Sequence, residues 1–319
     1  MSSPALVAST DTPVETARYI RSGTETLFAV HTSPVTSPAD LGVLLAHSGP
    51  NNFSAHRNGV WTDISRELAR QGIPSLRFDF AGTGESSGEF VLRLDGQPVA
   101  DATAAMNALQ ATGCRRLLVV GSCFGGIPSA VASAARADVA GVILVSPPLV
   151  LPGAGGMASS WEKLREVVNR TTLHTVATNR EYRRWFFGRL AFLAWTRATV
   201  QLSRFTSRTA ASRTPEPSAG AGPSRGLLIE SELARLVTTG SHIEVVFGTS
   251  DENLARIHGE AAASRALRRL RDRRPTGLVW TVFDGPVHGL EDVALQKQLI
   301  RLIVGRACDL TGRQPTATR

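Results

Sequence analysis

Apolar residues recur along this chain in two alternating rhythms. Leu41–Ala46, Leu117–Val120, Gly141–Val145, Ile243–Phe247 and Leu278–Phe283 are near-continuous apolar runs. Runs of that length read as strands buried on both faces. Between them lie segments whose apolar residues fall at helical spacing. Trp61–Gln71 puts Trp61, Ile64 and Leu68 on one face and stops before Gly72, a helix-ending glycine. Pro98–Gln110, Ile127–Ala137, a basic stretch around Glu260–Arg271 and Glu291–Val304 read as further helices. Ser75–Phe80 reads as a strand, and Arg18–Ile20 with Thr26–His31 as an opening antiparallel hairpin that turns at Gly23. Alternation of strand and helix predicts a mostly parallel sheet with helices on both faces.

That rhythm lapses between residues 149 and 240. The expected division is a disordered N-terminus (1–16), a core (17–148 and 241–305), a helical insertion (149–240) and a polar tail (306–319). Within the insertion Ser160–Asn169 and Glu181–Leu202 read as helices, and the Ser/Pro/Ala/Gly/Arg-rich span 206–226 as a flexible loop. The chain of 319 residues carries a formal charge of +8, and the insertion holds 13 Lys and Arg against 6 Asp and Glu. Nearly all the excess positive charge therefore sits in one place. No recognition-helix or RNA-binding pattern accompanies it, so nucleic acid is not the expected partner. Without an apolar run of about eighteen residues, no membrane span is expected. Residues 1–16 do not read as a signal peptide. Cys114, Cys123 and Cys308 have no metal-ligand spacing, and no metal or cofactor is expected. Free thiols fit a reducing cytoplasm.

Chemistry concentrates at Gly121-Ser122-Cys123-Phe124-Gly125-Gly126, between an apolar strand and an Ala-rich helix. A strand entering a helix through Gly-x-nucleophile-x-Gly is a nucleophile elbow, whose sharp turn leaves no room for side chains two residues either way. Only Cys123 has glycines at both spacings, so the candidate nucleophile is a thiol. Upstream, Asp79-x-x-Gly82-x-Gly84-x-Ser86-x-Gly88 follows the preceding strand.

With the elbow, that turn makes the chain resemble the α/β-hydrolases, specifically their serine-aminopeptidase and thioesterase-like group, over about Thr26–Val150 and Ile243–Val304. The resemblance implies an α/β-hydrolase fold with a helical lid, and a triad in the chain order nucleophile, acid, base. Gly248-Thr249-Ser250-Asp251 occupies the acid's station and Gly285-Pro286-Val287-His288-Gly289 the base's. Cys123, Asp251 and His288 are thus the expected catalytic residues, with Glu252 and Asp284 as alternative acids. For the oxyanion hole the resemblance implies the Phe124 amide and an amide near Gly49 in His47-Ser48-Gly49-Pro50, with the Ser48 hydroxyl as a further donor. Ser48 stands where the family's loop usually carries glycine. His47 is assigned to its loop, Cys114 and Cys308 to packing. His31, His56, His174, His242 and His258 are assigned surface or core roles.

A helix N-terminus and a paired histidine depress a thiol's pKa, so Cys123 is expected to rest as a thiolate. Attack would leave an acyl thioester, a better acyl donor than an ester. Among resembling families, dienelactone hydrolases and polyhydroxyalkanoate synthases also use cysteine here, although this insertion matches neither closely. As a lid, the insertion would offer Trp185 and Phe186 to an acyl chain. Arg180, Arg183, Arg184 and Arg189 would face coenzyme A phosphates or an acidic acyl carrier protein, or simply form the wet side of a helix. Three readings stay open. One is a hydrolase of an ester, thioester or lactone. Another is an acyltransferase or carboxylate-eliminating lyase of polyketide or other secondary metabolism. The last is a binding module without catalysis.

Overall fold

The computed structural model describes residues 13–34, 38–49, 52–90, 95–150, 227–273 and 277–314. Eight strands form one sheet: β1 (Val14–Ser22), β2 (Glu25–Ser33), β3 (Leu41–Ala46), β4 (Ser75–Phe78), β5 (Arg116–Ser122), β6 (Val139–Val145), β7 (His242–Gly248) and β8 (Leu278–Phe283). Their order is β1-β2-β4-β3-β5-β6-β7-β8. β1 and β2 form the antiparallel hairpin, β2 pairs antiparallel with β4, and from β4 onward every pairing is parallel.

Among the described residues the helices beside the sheet are α1 (Val60–Arg70), α2 (Gln97–Gln110), α3 (Gly126–Ala134), α4 (Glu230–Thr239), α5 (Glu252–Gly259), α6 (Ala261–Arg273) and α7 (Val293–Thr311). Side chains alternate across a strand, so each apolar run feeds two cores. Leu44 and Ala46 join Val119, Leu144 and Val245 on the face covered by α2, α3 and α4. Val43 and Leu45 join Val120, Ile143 and Val246 on the face covered by α1 and α7. That is the physical content of a continuous apolar run, and the α/β-hydrolase architecture expected of the sequence is the observed one.

Several boundaries differ from expectation. β1 begins at Val14, so strand pairing with Ser33 claims residues assigned to the disordered N-terminus. α4 lies in the stretch assigned to the insertion, yet its Leu233, Leu236 and Val237 are buried in the core. The chain divides into one unit of Met1–Leu151 with Arg225–Arg319 and a second of Pro152–Ser224, the latter outside the described residues. The expected lid residues Trp185, Phe186, Arg183 and Arg184, with Arg180, Arg189 and the loop 206–226, also lie outside them. α5 went unnoticed because its eight residues carry too few apolar positions for a period to show. α7 runs on to Thr311 because Ala307 and Cys308 remain buried, taking in part of the expected tail.

One buried ion pair ties the sheet to its last helix. Glu244, on β7 with a fully buried side chain, accepts from Arg306 Nε at 2.6 Å and from Thr281 Oγ1 at 2.6 Å. Despite the opposing pull of burial, bonds from His242, Arg306 and Thr281 hold its carboxyl down at about 2. Arg306→Ala strands that buried charge and is expected to cost about 3 kcal/mol in denaturant unfolding. Because the folded-state pKa is depressed, this stabilisation is present above the usual glutamate range and drains as pH falls toward 2. Glu244→Gln should remove that part of the acid slope.

Candidate active site

β5 ends at Ser122, and the next residue breaks the backbone rule for ordinary side chains. Cys123 has φ +45°, a left-handed value that a non-glycine residue holds only when its surroundings impose it. A single 3-10 turn, Cys123–Gly125, then leads directly into α3. A Cβ on Gly121 would lie 2.5 Å from Gly126 Cα, and one on Gly125 would collide with the His47 carbonyl oxygen. The two glycines are therefore dictated by backbone passing backbone. Cys123 is projected from the C-terminal edge of the sheet.

His288, on the loop between β8 and α7, brings Nε2 to 3.1 Å from Cys123 Sγ. Asp251 follows β7 and is buried. Its Oδ1 accepts from the amides of Val287 at 3.0 Å and His288 at 2.9 Å, and its Oδ2 from the Gly248 amide at 2.8 Å. Among the described residues, Asp251 thus holds His288 by the main chain, not by a hydrogen bond to the ring. The expectation that it sets the imidazole's tautomer is replaced by a role in placing the loop. Gly248 has its own reason to be glycine, since a Cβ there would strike the Gly285 carbonyl. Of the alternative acids, Glu252 pairs with Arg256 and Asp284 accepts from Thr249.

A brace missed by sequence reading holds the far side of the histidine loop. Asn58 Nδ2 donates to Leu290 O at 3.0 Å, Gln296 Nε2 donates to the same oxygen at 2.7 Å, and Arg57 pairs with Glu291 at 3.0 Å. His56 and Asn58 have φ +60° and +56°. The His56 ring packs on Trp61 at 4.5 Å, and burial keeps it neutral, at about 4. Only the non-glycine residues in strained turns could have hinted at this segment, and nothing in their spacing did.

The thiol does not match the expected resting thiolate. Burial pushes the Cys123 pKa up and the Asp251 charge adds to it, while the Phe124 amide and the Arg256 charge pull the other way. Its net displacement is upward, so burial works against a standing thiolate here.

The loop after β3 also departs from expectation. Gly49 N–H donates to His47 Nδ1 at 3.2 Å, which turns this amide inward and away from any oxyanion. His47 is fully buried and held neutral, at about 3. Its Nε2 accepts from the Phe80 amide at 3.3 Å and lies 3.2 Å from Thr83 Oγ1, which in turn donates to Phe80 O at 2.7 Å. Ser48 Oγ accepts from Asn52 Nδ2 at 2.7 Å and keeps its own hydrogen to donate. Of the expected oxyanion donors, Phe124 directly follows the thiol in the chain, Ser48 Oγ donates to no partner among the described residues, and the Gly49 amide is directed at His47.

The turn Asp79–Gly88 supports this loop from behind. Asp79 Oδ1 accepts from the Ser54 amide and Oδ2 from the Glu85 amide at 3.1 Å. Ser86 Oγ donates to Asp79 O and accepts from Phe28 N–H, each at 2.8 Å. A Cβ on Gly82 would strike the Phe90 backbone, and one on Gly84 the Asp79 carboxylate. Phe90 and Phe80 pack edge-on against Phe124, at 5.4 and 5.7 Å between centroids. Among the described residues no group of His, Cys, Asp and Glu is arranged to hold a metal ion, and no helix is long and apolar enough to cross a membrane.

No curated protein matches the sequence. Solved structures do match the fold at low identity. A Pyrococcus furiosus esterase superposes with a TM-score of 0.58 at 12% identity, over 93% of this chain and 91% of its own. Mycobacterium smegmatis proline iminopeptidase gives 0.53 at 14%, over 93% and 99%. The structure of VinJ gives 0.52 at 16%, over 92% and 99%. The family description alpha/beta hydrolase matches residues 43–293, most of the chain and every residue of the elbow, the Asp251 station and the His288 loop. By its sequence and by its fold, this chain belongs to the α/β-hydrolase family.

Proposed function

We propose that this enzyme cleaves an ester, thioester or lactone through an acyl thioester on Cys123. The observation that carries the reading is the 3.1 Å approach of His288 Nε2 to a sulfur held at a strained elbow. His288 takes the thiol proton as sulfur adds to the substrate carbonyl. Negative charge on the carbonyl oxygen meets the Phe124 amide, the Ser48 hydroxyl and the N-terminus of α3. Collapse expels the alcohol or thiol, which leaves with the proton from His288. Water, deprotonated by the same histidine, then releases the acid. Asp251 keeps the histidine loop in place and lends the imidazolium a nearby negative charge. A thioester also reacts well with amines and alcohols, so an acceptor other than water is the second reading, favoured by the sulfur itself.

Incubation with a short acyl thioester should add one acyl mass to Cys123 in wild type and none in Cys123→Ala. His288→Ala is expected to lower kcat/KM by roughly 10²–10⁴-fold. Free acid as sole product at every amine or alcohol concentration would remove the transfer reading, and activity retained by Cys123→Ala would replace the covalent route with elimination.

The upward displacement of the thiol makes a pH prediction with a definite sign. Iodoacetamide alkylation of Cys123, followed by peptide mass, should accelerate steadily from pH 6 to 9, because the upward-shifted thiol ionises progressively over that range. A flat rate over pH 6–8 would point to a preformed ion pair with His288. Asp251→Asn should lower both turnover and melting temperature, since its amide nitrogen cannot accept from the backbone. The expected stability loss is about 1–3 kcal/mol.

A further inference from the structure

Arg256 has no part in the steps above, yet its position is built. It lies on α5, one turn after the acid. Asn253, buried, donates from Nδ2 to the Ser146 carbonyl at 2.8 Å and accepts from Arg256 Nη1 on Oδ1 at 3.2 Å. Ser146 follows directly on Val145, the strand partner of Ser122, which itself precedes Cys123. Ser146 is also strained, with φ +45°, as turns at a reaction centre often are. The chain of contacts Ser146–Asn253–Arg256 therefore anchors a guanidinium to the sheet edge that presents the nucleophile. Its positive charge works against the upward push of burial on the Cys123 thiol.

A helix-surface ion pair would explain only part of this. Arg256 Nη2 does pair with Glu252 at 2.8 Å, but both side chains are partly exposed and such pairs contribute little. An ordinary surface arginine needs no buried asparagine pinned to a strand end. The hydrogen bonds of Arg256 occupy one N–H on each terminal nitrogen and leave the Nε–H uncommitted among the described residues.

We infer that Arg256, braced by Asn253 on Ser146, forms an anion-recognising subsite at the sheet edge that presents Cys123 and selects acyl groups bearing a carboxylate near the reacting carbonyl. This deepens the function proposed above and rests on Cys123 as the nucleophile. A guanidinium suits a carboxylate by its fork of parallel donors, and its fixed charge acts on any anion brought to the sulfur. Arg256 is thus a specificity-determining residue, without a proton to transfer.

Iodoacetate and iodoacetamide differ at the same position by a carboxylate against a neutral amide, and both alkylate sulfur without turnover. In the full chain, the ratio of their rates at Cys123 should exceed that of a free cysteine peptide by about tenfold. Arg256→Gln should bring the ratio down to about the peptide value, while Arg256→Lys, which keeps the charge, should retain a clear excess. Unfolding curves of both variants verify that the ratio is read on folded protein. A ratio at Cys123 equal to the peptide's, or one unmoved by Arg256→Gln, overturns the subsite while fast alkylation leaves the nucleophile standing. Alkylation of Cys123 no faster than that of buried Cys114 and Cys308, by either reagent, overturns the nucleophile and the subsite together.

Discussion

Backbone passes backbone at the elbow with no space for a β-carbon, and the rest of the site follows from that contact. Cys123 can hold φ +45° only because Gly121 lets α3 start against β5 and Gly125 lets the elbow slide beneath the His47 carbonyl. The same contact locks the loop after β3 to the elbow. His47 must then satisfy its buried ring within the loop, and it does so with the Gly49 amide and Thr83. The price is one oxyanion donor, since an amide pointed at an imidazole cannot also face substrate.

Asp251 shows how position outranks pairing here. Its carboxylate gathers amides from two separate loops, Gly248 from its own and Val287 and His288 from the other. Buried carboxylates need such partners, and backbone N–H groups are the rigid ones. The loop bearing His288 is pinned from within by Asp251 and from outside by Asn58 and Gln296. Placement of His288 Nε2 3.1 Å from the Cys123 sulfur is the result.

Sulfur changes the chemistry more than the fold. A thioester intermediate is activated toward nitrogen and oxygen nucleophiles as well as water. In the proposed reaction a cation anchored at that sheet edge would have two uses: it would temper the cost of thiolate formation in a buried place and bias which acyl groups approach. Both act through charge, so neither needs any change in the triad.

The elbow was legible because its constraint is local. Glycines two residues either side of Cys123, within strand, turn and helix, are forced by contacts that the sequence spacing itself encodes. Apolar runs such as Leu41–Ala46 likewise declared buried parallel strands, since each residue feeds one of two cores. The turn Asp79–Gly88 was readable for the same reason, with each glycine answering a close approach. What sequence could not settle were the non-local hydrogen bonds. Whether the Gly49 amide faced substrate or His47, whether Asp251 met a ring or a backbone, and whether burial outweighed nearby charge at Cys123 depended on residues far apart in the chain. Asn58, Asn253 and Arg256 carry no periodicity or motif, and only the meeting of loops at the sheet edge made them part of the site. Sequence alone determined the fold and the candidate nucleophile, because steric exclusion acts between neighbours. Tertiary structure decided which groups meet around that nucleophile, because electrostatics and hydrogen bonding act between whichever groups folding brings together.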